Sequence, residues 1–228
     1  MKILEKSYQR ILAFGDIHGC YKSLIKLLEI ISPQEDDLLI FLGDYVDRGD
    51  NSKAVIDKLI LLNAQFDCIF IKGNHEEMFL KYLNDPHAHS SWLGFGGQET
   101  LESYGSDFDI PKEHRHFMHN GLDYFETKNH IFVHATAHEN LHMKDQTSRY
   151  LRWTRCHDTR PHLSGKTIIC GHTPQFEGLP LDLGHLICID TAACYGACLT
   201  CMDVGNDIFY QANEYHEKRI LKREELSS

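Results

Sequence analysis

Short apolar runs alternate with stretches of helical spacing over the first 85 positions. Arg10 to Phe14 is an apolar run ending at Gly15. From Cys20 to Ile31, residues Leu24, Leu27, Leu28 and Ile31 recur at the spacing of one helix face, and Pro33 stops the pattern. Leu38 to Leu42 reads as a buried strand, Ser52 to Asn63 as a helix with Ser52 as its cap, Cys68 to Ile71 as a third strand and Glu76 to Leu83 as a third helix. Strand, helix, strand at about 30-residue spacing predicts parallel βαβ units.

The middle of the chain is less regular. Gly94 to Gly97 predicts a flexible turn, Gln98 to Ser103 a helix, and Pro111 to Asn120 another helix closed by Gly121. Leu122 to Phe125 and His130 to His134 predict a strand pair, whereas Ala135 to Ser164 has weak periodicity and reads as loop and short helix. Thr167 to Cys170, Leu186 to Asp190, Leu199 to Val204 and Ile208 to Ala212 predict strands, and Glu214 to Glu225 a charged tail forming a surface helix. With no internal repeat or obvious linker, a single domain over 1–228 is expected, its tail starting near 213. A βαβ half followed by a strand-rich half predicts an α/β fold of two packed sheets with helices outside.

Composition narrows the function. At 228 residues the chain can bury a sizeable core, and its 42% hydrophobic and 25% charged content is that of a soluble globular protein. A formal net charge of −10 gives no general attraction to nucleic acid or anionic membrane, so neither is expected as a partner. Glu5, Lys6, Gln9 and Arg10 break the N-terminal apolar stretch, no signal peptide is expected, and no run approaches the roughly 18 apolar residues of a membrane span. Cytoplasmic residence is the expectation. The eight cysteines lie mostly within apolar runs, where free thiols are common. Cys198 and Cys201 form a Cys-x-x-Cys, but no second such pair completes a zinc site.

Five segments carry the chemistry: Gly15-Asp16-Ile17-His18-Gly19, Gly43-Asp44-Tyr45-Val46-Asp47-Arg48-Gly49, Gly73-Asn74-His75-Glu76, Val133-His134 and Gly171-His172-Thr173. Each follows an apolar run, and parallel strands joined by right-handed crossovers bring such positions to one sheet edge. Asp16 and His18, two apart, can reach one ion. Asp44 can bridge two ions, Asn74 offers a neutral oxygen, and His134 and His172 add imidazoles. Oxygen and nitrogen donors without thiolate suit two divalent ions, manganese foremost with iron or zinc as alternatives. Two such ions side by side activate water and stabilise charge on a phosphoryl group. Any one segment alone has an ordinary structural explanation; their conjunction points to a phosphoester hydrolase.

Gly-Asp-Ile-His-Gly, Gly-Asp-Tyr-Val-Asp-Arg-Gly and Gly-Asn-His-Glu resemble the three signatures of the metallophosphoesterase superfamily, and within it the PPP-type serine/threonine protein phosphatases, especially the compact bacterial and phage members. The resemblance runs from Asp16 to about Thr200. It implies a four-layered α/β/β/α sandwich. It also implies that Asp16 and His18 hold a first metal, that Asp44 bridges, and that Asn74, His134 and His172 hold a second. His75 becomes the general acid, oriented by Asp47. Arg48 and Arg155 bind phosphate, with Asn74 also facing substrate. Arg155 rests on the short match Trp153-Thr-Arg155, and Arg152 competes for the role.

A serine or threonine alkoxide leaves poorly without a proton, so a positioned histidine fits this chemistry. The expected substrate is a phosphoprotein or a phosphorylated small molecule. Symmetrical diadenosine tetraphosphate hydrolases share the fold and metal site, and Asp190 to Cys201 resembles their closing segment. They are the alternative, and a non-catalytic scaffold on the same fold is a third. The chain departs from the family at Ala135-Thr136-Ala137 and Asp190-Thr191-Ala192-Ala193, where glycine is usual. His114, His116 and His119 predict a solvated helix face. His87, His89, His138, His142 and His185 lie in loop-like stretches and have no assigned role.

Overall fold

In the first βαβ units, side chains alternate between two different cores. In β1 (Arg10–Phe14), Leu12 and Phe14 point to one core, while Ala13 points to another. In β2 (Asp37–Phe41) the split is Leu39 and Phe41 against Leu38 and Ile40. A strand buried on both faces needs a layer on each side. The computed structural model, which describes residues 6–105, 109–215 and 217–227, supplies those layers.

Helices α1 (Tyr21–Ile31), α2 (Ser52–Asn63) and α3 (Asn74–Asn84) alternate with β1, β2 and β3 (Asp67–Phe70). Short helices α4 (Gly97–Ser103) and α5 (Lys112–His119) follow, then β4 (Tyr124–Glu126), β5 (His130–Val133), α6 (Ser148–Trp153) and β6 (Thr167–Cys170). The chain ends with β7 (Leu181–Asp182), β8 (Leu186–Cys188), β9 (Leu199–Asp203), β10 (Ile208–Ala212) and β11 (Lys218–Lys222).

One sheet has the order β11-β10-β9-β1-β2-β3 and the other β4-β5-β6-β8-β7. β1, β2 and β3 are mutually parallel, and so are β5, β6 and β8. Between the sheets, Ala13, Leu38, Ile40 and Ile69 meet Phe132, Ile169 and Ile187. Outside the first sheet, helices pack on Leu12, Phe14, Leu39 and Phe41; outside the second, Leu151 of α6 packs on Ile131, Ile168 and Leu186. This is the expected α/β/β/α layering.

Several local readings need correction. Ser52 is the first helical residue rather than the cap, and its hydroxyl accepts the Asp47 N–H at 3.1 Å. Gly94 to Gly97 is no free turn, because Ser90–Phe95 forms a 3₁₀ segment and the Gly96 carbonyl accepts the Arg48 N–H at 3.0 Å. Within Glu214 to Glu225 there is a strand instead of a surface helix. β11 pairs with β10 over all five residues, Leu221 packs toward the inter-sheet core, and the exposed Lys218, Arg219 and Lys222 suit an edge strand. His114 is buried, bonded to the Tyr104 hydroxyl at 2.9 Å and Asp57 at 3.0 Å; His116 and His119 are the solvated members of that helix. The N-terminal reading falls partly on residues 1–5, which lie outside the described residues.

Candidate metal and phosphate site

The ends of β1, β2, β5 and β6, together with the start of α3, deliver side chains to one cleft. Asp44 is its centre. One carboxylate oxygen lies 3.4 Å from His18 Nε2 and 3.9 Å from His75 Nε2, and the other lies 3.3 Å from His134 Nε2. Donor atoms of His18, Asp44 and His75 cluster within 4.8 Å on one side, and those of Asp44, His134 and His172 do so on the other. Asn74 Oδ1 stands 3.0 Å from both His134 Nε2 and His172 Nδ1, joining the second group. Asp16 is buried beside them, and its carboxylate accepts the His172 N–H at 3.1 Å.

The backbone decides which imidazole nitrogens face inward. His18 Nδ1 donates to the Val46 carbonyl at 2.8 Å, and His134 Nδ1 donates to the Leu42 carbonyl at 2.9 Å. Both Nε2 atoms are thereby turned toward Asp44, the orientation a metal-ligating imidazole requires. Asp16, Asp44 and Asp190 are three buried carboxylates at this point, and burial with mutual repulsion pushes Asp16 well above the usual range and Asp190 up to about 6. Burial would raise Asp44 too, but the imidazoles of His134, His75 and His18 hold it well below. A cluster of buried carboxylates with inward lone pairs is a site built for cationic charge, so the residues fit two divalent metals.

The motif glycines have a steric reason. A side chain at Gly73 would strike the Asp44 carboxylate, and one at Gly171 would strike that of Asp16. Strain gathers here as well. His18, Asp44, Asp47, Arg48 and His172 all have positive φ, between 43° and 73°, five of the eight such non-glycine residues among those described.

His75, Asp47 and Arg48 form the second half of the apparatus. Asp47 accepts from His75 Nδ1 at 2.6 Å, from Trp92 Nε1 at 2.7 Å and from the Thr100 hydroxyl at 2.7 Å. Burial opposes the charged imidazole of His75, but Asp44 and Asp47 outweigh it, raising its pKa. Arg48 donates to His18 Nε2 at 2.5 Å, its Nη2 lies 3.0 Å from His75 Nε2, and its guanidinium lies over the Tyr195 ring. Arg155 lines the same cleft, of about 510 Å³, whereas Arg152 is paired with Glu77 at 3.1 Å and with Asp123.

Sequence reasoning missed the supports. The Glu76 carboxylate accepts backbone N–H groups from Asp44, Tyr45 and Gly73 at 2.7–2.9 Å, locking two motif loops together, and burial next to Asp44 raises it to about 7. Trp92 and Thr100 carry no local signature, and Asp190 stands out only through its resemblance segment, not as a buried carboxylate of the site. Only the buried Gly-Asn-His-Glu segment hinted at Glu76.

A raised His75 pKa keeps the imidazolium present above its ordinary range. If His75 is the proton donor, activity on an alkyl phosphate falls as pH rises through that raised value. Asp47→Asn removes a charge that favours the imidazolium and should move this alkaline limb to lower pH, read from a kcat–pH profile. An unmoved limb would remove Asp47 from the role.

The family's usual glycine after Asp190 also gains a reason. Ala192 sits at φ 59°, in the left-handed region. Ala192→Gly should stabilise the protein by about 1 kcal/mol, an increase in Tm of roughly 2–4 °C by calorimetry.

The calcineurin-like phosphoesterase model matches residues 9–176. The chain belongs to this family. Its homologues are phosphoester hydrolases, and the family uses divalent metals. "Serine/threonine-protein phosphatase 1" of Salmonella typhimurium is 28% identical over 213 residues, covering 87% of this chain and 94% of that one. The symmetrical bis(5'-nucleosyl)-tetraphosphatase of Burkholderia pseudomallei is 28% identical over 173 residues, covering 70% of this chain and 55% of that protein. This chain therefore spans about half the length of the latter relative. Among solved structures, the cold-active protein-tyrosine phosphatase of a psychrophilic Shewanella superposes with a TM-score of 0.67 at 15% identity, covering 94% of this chain and 81% of that one. At that identity the likeness is one of fold.

Proposed function

We propose that this member of the family is a metal-dependent serine/threonine phosphoprotein phosphatase. The observation that carries the reading is the pairing of Asp44, set between two imidazole groups, with the Asp47–His75 dyad beside Arg48. Asp16, His18 and Asp44 would hold one divalent ion, and Asp44, Asn74, His134 and His172 the other, with manganese the proposed occupant. When bound, these ions supply Lewis acidity toward the phosphoryl group and lower the pKa of water.

The chain's own groups do the rest. Arg48 and Arg155 bind the phosphate oxygens, their planar forks matching a tetrahedral anion. Arg48 Nη2 and His75 Nε2 lie 3.0 Å apart, so the anchor for the phosphate and the proton for the leaving oxygen arrive at one point. His75 gives that proton from Nε2, while Asp47 holds Nδ1 and steadies the charged ring. Trp92 and Thr100 keep Asp47 from turning.

A second reading has its own observation. Phe95, Trp153, Phe176 and Tyr195 all line this cleft and are 42–69% exposed. Aromatic faces at the mouth of a phosphate site can stack on nucleobases as well as pack against apolar side chains of a peptide. That favours a dinucleoside tetraphosphate as the alternative substrate.

The two are separated by assaying a phosphoserine peptide and diadenosine tetraphosphate in parallel with manganese and comparing kcat/KM. The proposal expects the peptide to be preferred; preference for the dinucleotide would replace it with the second reading. Among the described residues no helix is long and apolar enough to cross a membrane. The proposed setting is the cytoplasm.

A further inference from the structure

Three cysteines outside the phosphate site converge in the outer layer. Cys170 ends β6 and Cys188 ends β8, and they are register partners on adjacent parallel strands, so both point to the same face. Cys156, in the loop after α6, closes over them. All three are fully buried, and their sulfurs lie within 4.8 Å of one another. We infer that Cys156, Cys170 and Cys188 form a binding site for a thiophilic d¹⁰ cation that accepts three sulfurs, such as Cu⁺.

The spacing supports the assignment. A cation with bonds of about 2.3 Å to three sulfurs in a plane separates those sulfurs by about 4 Å. The thiols therefore need to move by less than roughly 1 Å to enclose it. A disulfide would join only two of them, with a sulfur–sulfur distance near 2 Å, and would strand the third. Among the described residues no imidazole or carboxylate belongs to the group, and an all-thiolate donor set selects soft cations over those suited to the Asp44 site.

The Cys188 thiol donates to the Gly171 and Thr173 carbonyls at 3.3 and 3.4 Å, and the Cys156 N–H donates to the Thr173 hydroxyl at 3.2 Å. Hydrogen bonds with Cys170 and Cys188 pull the Cys156 thiol below its ordinary value, whereas burial pushes Cys170, and the hydrogen bond with Cys156 pushes Cys188, well above theirs, so a cation must displace those two protons. Binding exchanges three thiol protons, released to solvent, for three metal–sulfur bonds, with no change of oxidation state. The cation would tie the loop carrying Arg155 and His157, which line the cleft, to the strand that leads into His172.

Cadmium is a suitable probe, because thiolate-to-metal charge transfer absorbs in the ultraviolet and the Asp44 site has no sulfur. Chelator-treated protein, with manganese added to saturate that site, should take up one cadmium per chain with a charge-transfer band. Cadmium-edge X-ray absorption on the wild-type protein should show three sulfur neighbours. Cys156→Ser and the apolar Cys188→Val should each weaken cadmium binding by at least the roughly 10- to 100-fold that losing even an outer partner of a metal costs. Asp44→Asn should leave the band in place. No band, fewer than three sulfur neighbours, or binding unchanged in either folded cysteine variant would overturn the assignment.

Discussion

Asp44→Asn should abolish turnover more completely than any other single change in this protein. Among the described residues, Asp44 alone has carboxylate oxygens facing both imidazole groups: one toward His18, the other toward His134. An amide keeps the size but replaces one of those oxygens by an NH₂ group, which cannot ligate and would point its hydrogens at an imidazole lone pair or a cation. It also removes the negative charge that favours the His75 imidazolium. The expected loss in kcat/KM is on the order of 10³-fold or more, since removing a single stabilising donor from a preorganised site already costs about 10²- to 10³-fold. Manganese content should fall in parallel. Activity within tenfold of wild type on a phosphoserine peptide would mean that Asp44 does not bridge.

His75→Asn should separate proton donation from metal binding. His75 Nδ1 is bonded to Asp47, and its Nε2 faces Arg48. An asparagine there keeps polarity and volume without a titratable proton. Hydrolysis of a phosphoserine peptide should slow by roughly 10²- to 10⁴-fold, the usual worth of a positioned acid. An aryl phosphate, whose leaving group hardly needs a proton, should suffer much less, and metal content should hold. Equal losses on both substrates would assign His75 to holding the site together instead.

The elements that build the site were readable because each leaves a local signal. β1, β2, β3, β6 and β10 are apolar runs of four or five residues, and the first three motifs follow the first three of them. α2 spans the expected residues, and α1 and α3 differ only at their ends. What stayed hidden depends on pairings between distant segments. β9, β10 and β11 return to the first sheet beside β1, a choice set by which edge is open rather than by any residue pattern. The basic residues of β11 resemble a solvated helix face in sequence, although Leu221 alternates inward.

The candidate site divides along the same line. Asp16, His18, Asp44, Asn74, His75, His134 and His172 follow strand ends, five of them directly beside a glycine, and the structure gathers all seven. The groups that orient them carry no such mark. Trp92 and Thr100 act on Asp47 from 45 and 53 residues away. Glu76 sits inside a recognised motif, but its four-residue context does not reveal that it spans to the Asp44 loop. His114 looked solvated because its polarity was weighed without Asp57 and Tyr104, its two distant partners. Cys156, Cys170 and Cys188 are scattered over 33 positions of sequence, and only the β6–β8 register puts two of them side by side.

The central claim is that Asp44 lies between two divalent ions. Crystals soaked in manganese, measured above the manganese absorption edge, test it directly. Two anomalous peaks should flank the Asp44 carboxylate, one toward His18 and Asp16, the other toward Asn74, His134 and His172. A single peak, or none at Asp44, would contradict it.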